Sequence, residues 1–128
     1  MPGEIVFDAS AALTILKREE GAERAKAALD RAIICTVNVA EVQSKLIDAG
    51  LDRQSAWASI AILGCRTIPF DESLAFQAGS LVAVTRPYGL SLGDRACLAL
   101  ALARKAPVYT TDRAWTQLGL DLKVEVIR

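Results

Sequence analysis

An α/β domain, with a parallel β-sheet carrying helices on both faces, is the fold class that this sequence predicts, and three observations lead there. Short apolar, β-branched runs alternate with segments of helical periodicity along the whole chain. The strands are separated by helix-length stretches instead of hairpin turns, so parallel pairing through crossovers is the natural connection. Hydrophobic residues make up 52% of the 128 residues against 23% charged, enough for one core in a single domain, 1–128, without disulfides or a structural metal.

Ile5-Val6-Phe7 is the first strand, ending at Asp8, and the Ala-rich segment through Leu13, Ile15 and Leu16 is helical. The charged stretch 17–31 continues helically with Ala22, Ala25, Ala28 and Leu29 on one stripe, and Ile33 to Val37 forms a second strand. Asn38 is placed to cap a helix with Val39, Val42 and Leu46 inward, ending near Gly50. Asp52 caps the next, through Trp57, Ile60 and Ala61 to Gly64, and Arg66 to Ile68 is a short strand closed by Pro69. Asp71 starts a helix with Leu74, Ala75, Ala78, Leu81 and Val82 in register, and residues 86–89 are a loop. The helix from Ser91 through Ala103 is apolar nearly all round, which makes it central. Pro107 to Thr110 is the next strand, leading to Asp112, and Val124 to Ile127 alternates as an edge strand. The apolar residues of 57–63 and 74–84 suit either the core or a subunit contact.

Fifteen Lys and Arg balance fifteen Asp and Glu, so net charge gives no sign of a nucleic-acid or anionic-membrane partner. Histidine is absent, which excludes His-ligated zinc, Ser-His-Asp and Cys-His nucleophiles, and a histidine general base. Cys35, Cys65 and Cys97 form neither a CxxC pair nor an even-numbered framework and read as reduced, buried small hydrophobes. The N-terminus lacks the pattern of a signal peptide, and the longest apolar run, Ala96 to Ala103, is far below the roughly 18 residues that span a bilayer. A soluble, cytoplasmic protein is expected.

In a parallel sheet, ligands bind beyond the carboxyl ends of the strands. Asp8 and Asp112 follow apolar strands there, Asp94 lies in the first turn of the buried helix, and Glu41 lies in the first turn after strand two. Carboxylates about 4 Å apart repel by roughly 4 kcal/mol at an effective dielectric near 20, and a divalent cation relieves that repulsion. Oxygen ligands without His or Cys suit Mg2+, with Mn2+ as a substitute, and such an ion supports phosphodiester hydrolysis. Each acid also has a structural explanation. Asp8 and Asp112 suit N-caps, Asp94 suits a capping box with Ser91, and Glu41 suits an i,i+4 pair with Lys45. The joint placement of all four at one edge favours a site.

These residues resemble a PIN domain of the short, VapC-type kind found in type II toxin-antitoxin pairs. IVFDASAALTIL is similar to the first family motif, with Asp8 and Ser10, and VNVAEV to the second, with Glu41. LSLGDRACLALALA resembles the third, with Asp94, and VYTTDRAW the fourth, with Thr110, Asp112 and Trp115. The resemblance implies a three-layer α/β/α sandwich, Mg2+- or Mn2+-dependent endoribonuclease activity on RNA, a homodimer, and a cognate antitoxin that blocks the site. It implies Asp8 and Asp94 as direct metal ligands, Glu41 and Asp112 as direct or water-mediated ones, and Ser10 and Thr110 as supports for carboxylates or waters.

Setting those four acids aside leaves four more cations than acids, and ten of the fifteen cations are Arg. Arg95 and Arg113, each beside a site acid, are candidates for contact with RNA or antitoxin, or solvated helix-face residues. Trp115 suits base stacking or the core. A dehalogenase-like phosphatase would want Asp-x-Asp where Asp8-Ala9-Ser10 stands, and a receiver domain a lysine near the last strand, where only Lys105 precedes it. A PIN-like protein-binding module, or a non-toxin PIN nuclease with weak or no cleavage, is the alternative.

Overall fold

The computed structural model describes residues 3–128. Five strands, β1 (Ile5–Phe7), β2 (Ala32–Cys35), β3 (Arg66–Ile68), β4 (Val108–Thr110) and β5 (Val124–Val126), form one parallel sheet in the order β3-β2-β1-β4-β5. Val6 of β1 pairs with Ile33 on one side and with Val108 on the other. The helices are α1 (Ala9–Leu16), α2 (Ala22–Lys26), α3 (Thr36–Asp48), α4 (Arg53–Leu63), α5 (Glu72–Ser80), α6 (Val82–Thr85) and α7 (Leu92–Arg104).

The period of two along each strand sorts the core into two faces. Val6, Ile33, Cys35 and Val108 pack with α5, α7, Trp115 and Leu118 on one face. Ile5, Phe7, Ala32 and Ile34 pack with α1, α3 and residues around α2 and α4 on the other. The result is the expected three-layer sandwich. Its middle strand is buried throughout, and α7 buries seven residues including Gly93, Cys97 and Leu100.

Asp52, Asp71 and Ser91 cap α4, α5 and α7 as the sequence suggests. Three expectations need correction. Residues 17–31 are not one helix, because Arg18 and Gly21 take left-handed backbone conformations. A Cβ at Gly21 would stand 2.4 Å from the Ile127 carbonyl oxygen, so the chain turns where the C-terminal segment crosses it. The second strand ends at Cys35, and Thr36 and Val37 already belong to α3, which puts Asn38 inside the helix instead of at its cap. The helix after Asp71 breaks at Leu81 into α5 and α6, and the loop 86–89 contains a short 3-10 turn.

Cys35 and Cys97 are buried, Cys65 is half-buried, and all three are free thiols; burial pushes Cys65 up to about 11. Among the described residues no helix is long and apolar enough to cross a membrane. The apolar stretches 57–63 and 74–84 divide between core and surface. In 74–84 Leu74, Ala78 and Leu81 are buried while Phe76 stands 72% exposed, whereas in 57–63 only Ile60 and Leu63 are partly buried against the core and Trp57 and Ile62 stand 56% and 85% exposed.

Candidate active site

Strand connectivity runs outward from β1 in both directions, so the carboxyl ends of β1 and β4 flank the switch point where a crevice opens. The backbone NH of Asp8 donates to the carbonyl of Tyr109 at 3.2 Å, and the Phe7 and Tyr109 rings stack with centroids 5.8 Å apart. Chain segments 8–10 and 110–112 are thereby locked side by side.

Asp8 is only 5% exposed and serves as N-cap of α1, its Oδ1 accepting from the Ala11 NH at 2.8 Å and from the Ser10 hydroxyl at 2.6 Å. Its Oδ2 accepts from the Thr110 hydroxyl at 2.5 Å. Each hydroxyl also accepts a backbone NH, Ser10 from Thr111 at 3.0 Å and Thr110 from Asp112 at 3.1 Å. Those incoming NH groups fix the hydroxyl protons toward the carboxylate. Burial nevertheless dominates over these hydrogen bonds and pushes the Asp8 carboxyl up to about 6, with the charge of Asp94 adding in the same direction.

That shift has a consequence for stability. Asp8 titrates near 3.8 in the unfolded chain and near 6 in the metal-free fold, so the folded state binds the extra proton between those values. Stability contributed by protonated Asp8 is present at low pH and is lost as pH rises through about 4 to 6, a change of roughly 3 kcal/mol in all. Urea denaturation in EDTA is expected to show wild type losing about 1 kcal/mol more than Asp8→Asn between pH 5 and 7.5. Equal pH responses in the two proteins would refute this origin.

Asp94 sits in the first turn of α7 and completes a capping box. Its NH donates to the Ser91 hydroxyl at 3.2 Å, and its Oδ2 accepts from the Ser91 NH at 3.0 Å. Glu41 reaches the same region from α3. Its Oε1 accepts from the Asn38 amide at 2.8 Å, and that amide also donates to the Gly93 carbonyl at 3.0 Å. Gly93 leaves the space that Glu41 fills, since a Cβ there would lie 2.4–2.5 Å from the Glu41 carboxylate. Burial raises the Glu41 carboxyl above its usual range, Asn38 opposes the rise, and Asp94 adds to it. Asp112 follows β4, caps a 3-10 turn through the Ala114 NH at 3.0 Å, and is exposed at the rim.

All four acids line one cavity of about 290 Å³, together with Ser10, Leu13, Lys45, Thr111 and Trp115. Among the described residues no group of three or more Asp, Glu or Cys side chains is gathered tightly enough to enclose a metal ion, so this is an open cleft. Openness suits a hard cation that keeps several waters. Trp115 is buried and forms an apolar wall. Arg95 and Arg113 point elsewhere: Arg95 donates to the Ala78 carbonyl at 3.2 Å and Arg113 to the Arg128 carbonyl at 3.1 Å. The expected Glu41–Lys45 ion pair does not form, the lysine pairs among the described residues being Lys26–Glu23 and Lys123–Glu125.

Sequence reasoning did not identify Asn38, Gly93 or Lys45 as site residues. For Asn38 and Lys45 the signal is helical spacing, since with the helix starting at Thr36, positions 38, 41 and 45 share one face, whereas the place of Gly93 depends on a contact between α7 and α3 that no local pattern contains.

Comparison with known proteins supplies an independent finding. The model of the PIN domain family matches residues 5–120. No curated protein gives a significant match. Among solved structures, a chain of DNA-bound VapBC from Salmonella typhimurium superposes with a TM-score of 0.75 at 17% identity, over 97% of this chain and 98% of that one. A chain of VapBC2 from Rickettsia felis, bound to a promoter DNA fragment, gives 0.73 at 17% identity, over 94% and 96%. VapBC-5 of Mycobacterium tuberculosis, a member of the VapBC family of toxin-antitoxin systems, gives 0.66 at 25% identity, over 99% of both chains.

Proposed function

The chain belongs to the PIN-domain family, and on that premise we propose that it is a metal-dependent endoribonuclease serving as the toxin of a type II toxin-antitoxin pair. The observation that carries this reading is the convergence of Asp8, Glu41, Asp94 and Asp112 on one cleft at the switch point of the sheet. The likeness of the chain to members of VapBC toxin-antitoxin complexes supports the toxin role.

The donors fit a hard divalent cation. They are carboxylate and hydroxyl oxygens with no His or Cys among them, and the charge of Asp94 opposes ionisation of both Asp8 and Glu41, a tension that a cation relieves. The cavity also exceeds several times the roughly 30 Å³ that a water occupies in the liquid, leaving room for a hydrated ion. Asp8 and Asp94 would hold Mg2+, or Mn2+ in its place, directly, with Glu41 and Asp112 holding it directly or through water. When bound, such an ion neutralises charge on a phosphoryl oxygen and makes water more acidic.

The protein's own groups supply the positioning. Ser10 and Thr110 fix both oxygens of Asp8, so its charge needs no reorganisation as the reaction proceeds. Asn38 holds Oε1 of Glu41, leaving Oε2 to accept a proton from the water that adds to phosphorus in line. The P–O bond opposite that water breaks, and its oxygen leaves with a proton from solvent. Trp115 keeps one wall of the cleft dry.

Two partners belong to this reading, an antitoxin that covers the cleft and a second copy of the chain, acting together in the cytoplasm. Exposed Trp57, Ile62 and Phe76 on α4 and α5 supply apolar surface for protein contacts. Incubating antitoxin-free protein with a mixed, end-labelled cellular RNA pool tests the enzyme. Discrete cuts with Mg2+ or Mn2+, absent in EDTA, are expected. Intact RNA beside demonstrated metal binding would favour a protein-binding module instead.

A further inference from the structure

We propose that Lys45 is a substrate-binding residue of the cleft, its ammonium engaging a non-bridging phosphate oxygen of the RNA strand beside the carboxylates. This inference rests on the nuclease reading above. Among the described residues lining the cleft there are four carboxylates and one cation, Lys45. An RNA strand is an anion entering an acidic cleft, and a divalent ion offsets only part of that repulsion. A further positive group at the wall answers the remainder.

Lys45 has the placement for this. It lies one turn beyond Glu41 on the face of α3 that also carries Asn38, and its flexible stem is exposed. Its charge is felt by Glu41, which it draws downward against burial, yet its ammonium forms no ion pair with that carboxylate. It is near the acids and committed to none. Among the described residues no arginine lines the cleft, and six of the ten are engaged elsewhere. Arg95 and Arg113 donate to backbone carbonyls, Arg24 pairs with Glu125, Arg66 and Arg104 share Glu4, and Arg128 reaches Glu19.

A contact with a phosphate that flanks the reacting bond is made equally in the ground state and the transition state, so its loss raises KM and spares kcat. It also displaces a counterion from the strand, which gives it a signature in salt. The test uses a short single-stranded RNA containing one cut site, with Mg2+, and compares wild type, Lys45→Met and Lys45→Arg. For Lys45→Met, KM is expected to rise about tenfold, the size of one charged hydrogen bond. Its kcat stays within twofold, and the slope of log kcat/KM against log KCl becomes shallower by roughly 0.7. Lys45→Arg retains the wild-type KM and slope within twofold.

Lys45→Met with wild-type KM and salt slope would overturn the inference, as would a fall in kcat with KM and slope unchanged. Wild type that leaves the mixed cellular RNA pool intact, so that no cut site can be mapped for this assay, would overturn the nuclease reading itself and this inference with it, so the two failures are distinguishable. Position 45 is exposed on its helix, and circular dichroism of Lys45→Met verifies that the fold is intact.

Discussion

Asp8→Asn is expected to lower RNA cleavage by about three orders of magnitude, roughly 4 kcal/mol of transition-state stabilisation, while the protein stays folded. The amide has the size of the carboxyl and keeps one oxygen to accept the Ala11 NH, so the cap of α1 survives. What is lost is charge. Asp8 is the buried acid at the end of the central strand, and its two oxygens are held by hydroxyls whose own protons are already directed by Thr111 and Asp112. An amide nitrogen placed toward Thr110 meets a donor instead of an acceptor. Single-turnover cleavage measures the loss, and urea denaturation verifies the fold. Cleavage within tenfold of wild type would remove Asp8 from the chemistry.

Gly93→Ala is expected to lower cleavage ten- to a hundredfold with little loss of stability. Gly93 lies in the first turn of α7, where alanine improves helix propensity by up to about 1 kcal/mol. The new Cβ would stand 2.4 Å from a Glu41 oxygen, and the end of a flexible side chain gives way more readily than backbone. Glu41 therefore moves, leaves the Asn38 amide, and no longer faces Asp94 as before. A double-mutant cycle identifies the route. If Gly93 acts through Glu41, adding Gly93→Ala to Glu41→Ala costs almost nothing further. Additive losses would place the effect elsewhere on α7.

The contrast between Asp8 and Gly93 shows how far the sequence could be read. Asp8 and Asp112 announce themselves because strands are legible as short apolar runs, and the first acid beyond each lies at the ligand-binding edge. Asp94 is legible through its capping box with Ser91, which the structure contains in full. Each of these three acids therefore caps a helix or turn and also lines the cleft, so a capping role is compatible with a place in the proposed site.

The remainder depends on helix phase and on distant contacts. With Thr36 and Val37 taken as strand, α3 starts only at Asn38, which conceals Asn38 as the residue that joins Glu41 to the Gly93 carbonyl, 55 positions beyond Asn38 itself. The i,i+4 spacing of Glu41 and Lys45 suggested an ion pair, whereas the cleft draws them to different uses. The turn at Gly21 depends on the C-terminal segment passing over it, a contact that no local pattern contains.

Cleavage of one mapped RNA site as a function of Mn2+ concentration, by wild type beside Asp94→Asn at pH 7.5, is the most direct test that the four acids form a single metal-dependent catalytic site. Saturable, Mn2+-dependent cleavage by wild type is expected, with the variant needing at least tenfold more Mn2+ or failing to cut. Cleavage that persists in EDTA, or an Asp94→Asn curve that overlies wild type, would contradict it.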